Sequence, residues 1–202
     1  MKILTQRCTV NGLAYVIRSA IKEDAAQMSI LRLQIDGESE NLDREKGEGF
    51  IDKAGFEKII RKDADQRRNL FLVAETDGEL VGYARCEGSE LKRLLHKVEF
   101  GVAVRKDFWG YGIGRNLLQQ SLDWADSEKI SKVILSVLET NQKAIRLYEK
   151  LGFVKEGLLK RDKFLSDGNY YDTILMGRHR EWKCRDFPAK TKENLLSLEC
   201  RS

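Results

Sequence analysis

The stretch that most constrains this chain is Val98 to Gly114, VEFGVAVRKDFWGYGIG. Val98, Phe100, Val102 and Val104 alternate with Glu99, Gly101 and Ala103, the two-residue period of a strand. Lys106 and Asp107 break the alternation, and glycines follow at 110, 112 and 114. Directly afterwards Ile113, Leu117, Leu118, Leu122 and Ala125 recur at helical spacing. Glycines between a strand and a helix let a ligand approach the backbone with no Cβ atoms in the way. The helix start adds unpaired N–H groups and the positive end of a dipole. Such a junction is either a phosphate site or a plain tight turn before a core helix.

Two phosphate motifs are excluded by the residues themselves. A GxGxxG register begun at Gly110 puts Arg115 where the third glycine belongs. The Gly-Lys-Ser/Thr ending of the nucleotide-hydrolase loop is missing.

The rest of the chain supplies the setting. At 202 residues it suits one domain, residues 1–182 with an N-terminal hairpin over 8–18, followed by a peripheral tail, 183–202. A net charge of +4, from 36 basic and 32 acidic residues without a basic block, is too weak to argue for nucleic acid. No apolar run approaches the roughly 20 residues of a membrane span. The N-terminus carries no signal-peptide core, so a cytoplasmic protein is expected. Cys8, Cys86, Cys184 and Cys200 are far apart with no CxxC, which reads as free thiols and no metal. His96 and His179 fall on no motif and read as non-catalytic.

In chain order, Asn11-Gly12 marks a hairpin turn. Ser19 to Asp24 begins a helix carrying Ala25, Met28, Leu31 and Ile35. The acidic stretch 36–49 reads as a loop, and a second helix with Ile51, Ala54, Ile59 and Ile60 follows. Asp77-Gly78 joins two strands, 69–76 and 79–86. After the glycine loop and its helix come a buried strand at 132–138, a helix ending at Gly152, a strand from Phe153 to Leu159, a loop over 162–169 and a last strand at 170–176. Hairpins first and a β-α-β unit later predict a mixed α/β fold. Its sheet is mostly antiparallel, of about six to seven strands, with helices on both faces.

Two motifs then carry a family resemblance. Trp109-Gly110-Tyr111-Gly112-Ile113-Gly114 resembles the acyl-coenzyme A pyrophosphate loop of the GNAT superfamily of N-acetyltransferases, Gln/Arg-x-x-Gly-x-Gly/Ala, with Trp109 at the usual Gln or Arg position. Asn141 to Phe153, NQKAIRLYEKLGF, resembles that superfamily's Asn-x-x-Ala-x-x-Leu-Tyr-x-Lys-x-Gly-Phe helix, in the expected place after a strand. The resemblance covers roughly residues 16 to 182. Toward the C-terminus it extends to branches that acetylate ribosomal-protein N-termini, polyamines and small amino-acid-like amines, without choosing among them.

The resemblance implies acetyl-coenzyme A as acyl donor, an amine acceptor and no metal. Main-chain groups of the strand at Val102, Ala103 and Val104 would bind the coenzyme arm as an added strand. The backbone of Trp109, Gly110, Tyr111, Gly112, Ile113, Gly114 and Arg115 would hold the pyrophosphate. Arg115 and Lys143 are either phosphate neighbours or ordinary surface charges. Asn141 caps its helix and, by the resemblance, also touches the coenzyme arm. Tyr148 is the candidate general acid, since a phenol of pKa about 10 is protonated at neutral pH, or else a core tyrosine on the apolar helix face. Glu99, unusual on a strand, is either the base, acting directly or through water, or an ordinary solvent-facing carboxylate. The acidic stretch from Asp36 to Glu48 is either a solvated loop or a border of the amine cleft. The expected partners are a small amine or a protein N-terminus, with no nucleic acid and no membrane, and a homodimer is the default assembly. Two other classes stay open: a GNAT-fold coenzyme A-binding module that has lost turnover, and a nucleotide-binding regulator.

Overall fold

A computed structural model describes residues 3–181. The elements are β1 (Gln6–Val10), β2 (Leu13–Ser19), α1 (Ala25–Asp36), α2 (Lys53–Asp65), β3 (Leu70–Thr76), β4 (Glu79–Gly88), β5 (Lys97–Val104), α3 (Ile113–Ser127), β6 (Lys132–Leu138), α4 (Gln142–Lys150), β7 (Val154–Phe164) and β8 (Tyr170–His179). The strands form one sheet in the order β1-β2-β3-β4-β5-β6-β8-β7. Every neighbouring pair is antiparallel except β5 and β6. The sheet has eight strands because the N-terminal hairpin joins it: β2 pairs with β3, and β1 adds the edge. Residues 182–202, with the tail and Cys184 and Cys200, lie outside the described residues.

The central strands are buried on both faces, as a continuous apolar run requires. Leu70, Leu72 and Ala74 of β3 pack with Ile113, Leu117, Leu118 and Leu122 of α3 and with Ile145 and Tyr148 of α4. Phe71 and Val73 point the other way, onto Met28, Leu31 and Ile35 of α1 and Phe56 and Ile60 of α2. Burying each of these Leu and Ile side chains contributes about 1.5–3 kcal/mol. The helical periodicities read from the sequence for α1 and α3 are the faces that do this packing; in α2 the work falls to Phe56 and Ile60, while Ala54 is exposed and Ile51 lies before the helix.

Three boundaries differ from the sequence reading. Ser19 ends β2, and only a 3₁₀ turn, Lys22–Asp24, precedes α1. Asp24 is committed there: it accepts from the Ile21 N–H at 2.8 Å and from the Arg18 guanidinium at 2.7 Å. β7 runs on to Phe164, past the loop expected from residue 162, because an irregularity between Leu159 and Lys163 restores its pairing with β8. β4 extends to Gly88, held by the Asn69 side chain, which accepts from the Gly88 N–H at 3.0 Å.

Candidate active site

The site is built where one pairing stops. β5 pairs with β4 from Val98–Gly88 to Val104–Gly82, and β6 pairs with β8 from Lys132–His179 to Leu138–Thr173. Between them β5 and β6 pair only over Lys97–Glu99 and Lys132–Ile134. From Phe100 onward the two strands part, and β5 shows a free edge. Arg105 donates its N–H to Val81 O on β4 at 2.9 Å. Backbone groups of successive strand residues turn to opposite edges, so Val102 and Val104 turn theirs into the split.

Two sequence expectations change here. Ala103 turns its backbone toward β4, and its side chain is buried in the α1/α2 cluster, so it is not at the free edge. Val104 offers only its N–H, because the Trp109 indole donates to Val104 O at 2.8 Å. That bond is what the tryptophan does at the position where the motif has Gln or Arg.

Below the split lies the glycine loop. Gly110 and Gly112 have φ of 90° and 73°, the left-handed region that costs an L-residue about 1–2 kcal/mol. Gly112 is the N-cap of α3 and offers no side chain for capping. By contrast Asp52 caps α2 by accepting from Gly55, and Asn141 caps α4 by accepting from the Ala144 N–H at 3.3 Å. None of the six N–H groups of residues 110 to 115 meets an acceptor among the described residues; the first that does is Asn116, to Gly112 O at 2.9 Å. Six free donors beside the positive end of a 15-residue helix are suited to an anion. A Cβ at Gly110 would meet no atom within 4 Å. Arg115 and Lys143, in the first turns of α3 and α4, are exposed and have no ion-pair partner among the described residues.

Tyr148 is buried in the cluster under α3 and α4, its ring 5.8 Å from that of Phe153. Burial pushes its phenol up to about 12, so it is protonated throughout the neutral range. Its hydroxyl has no hydrogen-bond partner among the described residues. Glu99 is the last β5 residue still paired with β6 and lies on the opposite, α1/α2 face, exposed and without an ion pair among the described residues. Glu87, directly across on β4, is instead held by Lys62 at 3.0 Å and Arg85 at 2.8 Å. The two expected catalytic side chains thus sit on opposite faces of the sheet.

The acidic loop between α1 and α2 is tied down rather than freely solvated. Glu38 accepts from the Lys106 N–H at 2.7 Å, Glu40 from the Ser166 N–H at 2.9 Å, and Asp43 pairs with Lys163 at 2.5 Å. Asp36 is taken by Arg44 at 3.2 Å. The loop therefore spans from the end of β5 to the β7–β8 hairpin. Beneath it opens a cavity of about 330 Å³, lined by Asp43, Ser136, Leu159, Asp162, Lys163 and Thr173. Ser136 lies on β6 beyond the split. The Thr173 hydroxyl is buried without a partner, and Asp162 is exposed with no ion pair among the described residues. Sequence reading missed Asp162 and Thr173, which carry no motif.

The model of the Acetyltransferase (GNAT) family matches residues 35–153, more than half of the chain. The chain belongs to the GNAT family. The spermidine N(1)-acetyltransferase of Vibrio cholerae is 31% identical over 122 residues, covering 60% of this chain and 67% of that protein. The solved acetyltransferase of the GNAT family from Streptococcus pneumoniae has a TM-score of 0.79 and 27% identity, over 82% of this chain and 99% of that one. A putative acetyltransferase from Salmonella typhimurium, solved with its cofactor acetyl-CoA, has a TM-score of 0.73 at 21% identity, over 84% and 95%.

This GNAT chain is an acetyltransferase acting on amines, with acetyl-coenzyme A as the family's acyl donor. The residues present fit that donor: free N–H groups suit a pyrophosphate, an unpaired strand edge suits an amide-bearing arm, and a protonated phenol is available near neutral pH. Among the described residues no cluster of His, Cys, Asp or Glu is arranged to hold a metal ion, and no helix is long and apolar enough to cross a membrane.

Proposed function

We propose that the enzyme acetylates a primary amine that enters from the α1/α2 face, by direct attack on the thioester while both substrates are bound. The observation that carries this reading is the row of unpaired N–H groups from 110 to 115, which runs on from the free edge of β5. These donors hold the pyrophosphate, with Arg115 and Lys143 as charged neighbours, and Val102 and the Val104 N–H pair with the coenzyme arm. The acetyl thioester supplies an electrophilic carbonyl at the split.

The chain's own groups move the protons. As the nitrogen attacks, the C–N bond forms and the C–S bond breaks. Glu99, with no ion pair among the described residues, takes the proton that the amine must lose, directly or through water. Tyr148 gives a proton to the departing sulfur; burial keeps the phenol protonated and its hydroxyl has no hydrogen-bond partner among the described residues, which supports that role. On the acceptor side, Asp162, with no ion pair among the described residues, supports a basic amine, and so does the similarity to a spermidine acetyltransferase. Free thiols at Cys8 and Cys86 support a reducing, cytoplasmic setting.

The test is acetyl transfer from acetyl-coenzyme A to a panel of a polyamine, amino acids, an N-terminal peptide and hydroxyl acceptors, read as release of free thiol. Transfer to amines is expected. Transfer to hydroxyl acceptors alone, or coenzyme binding with no transfer, overturns the reading.

A further inference from the structure

The N-terminal hairpin reaches the glycine loop from the far end of the chain. Asn11 Nδ2 donates to Gly110 O at 3.2 Å. A Cβ at Gly112 would stand 3.6 Å from the methyls of Val10 and 3.7 Å from the Tyr15 hydroxyl. Tyr15 in turn accepts from Asn116 Nδ2, in the first turn of α3, at 2.7 Å. The loop is therefore gripped on one side and open on the other, where a Cβ at Gly110 would meet nothing within 4 Å.

We infer that Asn11 is a positioning residue for the acyl donor: by holding the Gly110 carbonyl it fixes the Gly110–Tyr111 peptide so that the Tyr111 N–H points at the pyrophosphate. The inference rests on reading the glycine loop as the pyrophosphate site. In a planar trans peptide the C=O and the following N–H point in opposite directions. With the carbonyl turned to the hairpin, the Tyr111 N–H must turn away from it, toward the open side. The reverse orientation would aim a carbonyl oxygen at an anion. The two orientations differ in ψ of Gly110 and φ of Tyr111, and with no Cβ at 110 the first of these turns with little steric hindrance. The tie from Asn11 selects between them before the ligand arrives, which removes an ordering cost from binding.

Asn11 can be removed without disturbing its turn. Asn11 and Gly12 have φ of 51° and 82°, positive at both central residues as the favoured two-residue hairpin turn demands. Gly-Gly suits the same turn, so Asn11→Gly deletes the amide and keeps the hairpin. Asp77→Gly is the matched control: Asp77 and Gly78 have φ of 50° and 79° and form the turn between β3 and β4.

The experiment is calorimetric titration of acetyl-coenzyme A into the parent and both variants, with thermal unfolding of each and the amide resonance of Tyr111 followed by NMR. The expected result is about tenfold weaker binding for Asn11→Gly, for one charge-assisted bond lost, with Tm within about 2 °C of the parent. The Tyr111 shift on adding ligand should shrink in the same variant, and Asp77→Gly should match the parent in all three. Parent-like affinity of Asn11→Gly overturns the inference and leaves the coenzyme reading standing. Equal losses in both variants also overturn it, as a general turn effect. A parent that does not bind overturns the inference together with the coenzyme reading.

Discussion

Alanine at Gly110 and alanine at Gly112 should cost the same stability and differ sharply in binding. Both positions are left-handed, so each substitution carries about 1–2 kcal/mol of backbone strain. For a domain of this size that lowers Tm by about 2–4 °C per kcal/mol, or about 2–8 °C. The directions of the two new methyls differ. At Gly112 the methyl meets Val10 and Tyr15 at ordinary contact distance, on the hairpin side. At Gly110 it projects into open space, on the side left for the pyrophosphate. Holding the pyrophosphate off two of the free N–H groups forfeits about 1.5–3 kcal/mol for each charge-assisted bond, which is on the order of 100-fold or more in affinity. Gly110→Ala should thus bind acetyl-coenzyme A at least about 100-fold more weakly, while Gly112→Ala loses less than about tenfold. Isothermal titration beside thermal unfolding separates the two effects. Equal affinity losses in the two variants, or parent-like binding by Gly110→Ala, would refute the assignment of the open side to the ligand.

Other outcomes follow from the same geometry. Tyr148→Phe should lower kcat by about 10²- to 10⁴-fold and leave the urea midpoint nearly unchanged, because the hydroxyl has no partner to lose among the described residues; parent-like turnover would remove Tyr148 from the proton path. The phenol's pKa is raised in the folded state to about 12, so its contribution to stability is complete below the unfolded value near 10 and is lost as pH rises through 12. An alkaline fall of kcat below about pH 10 would therefore have to come from another group. Glu99→Gln should lower kcat/KM most at neutral pH and recover as pH rises and more of the amine is already neutral; a pH-independent loss would speak against the base role. Asp162→Asn should raise KM for a basic amine several-fold at unchanged kcat, and an unchanged KM would exclude it from acceptor binding. Asp63 is buried and holds Arg85 at 2.5 Å and Asn69 at 2.6 Å, so Asp63→Ala should destabilise the fold by about 3 kcal/mol or more in urea titration.

Much of the site was legible because its signals are local. The glycines at 110, 112 and 114, the cap at Asn141 and the apolar faces of α3 and α4 are matters of backbone conformation and short-range periodicity, which neighbouring residues fix among themselves. Tyr148 was found by its place in a motif, and its burial follows from the same helical face.

Other features depended on which strands pair and how far. Ala103 and Val102 look alike in sequence; only the register against β4 decides that one turns its backbone into the sheet and the other into the split. The split itself exists because β5 and β6 each keep a full-length partner on their other side and diverge after three residue pairs. Asp43 against Lys163 and Glu40 against Ser166 turn an acidic loop into the border of a cavity through contacts more than a hundred residues apart. Asn11 reads as a turn residue and is one, yet its amide reaches Gly110. The sequence by itself determined the conformations of the loop and the helix faces, because those depend on steric and hydrogen-bonding preferences within a few residues. Only the tertiary structure decided which backbone edge is left unpaired and what stands beside it, because that depends on strand register and on contacts between distant segments.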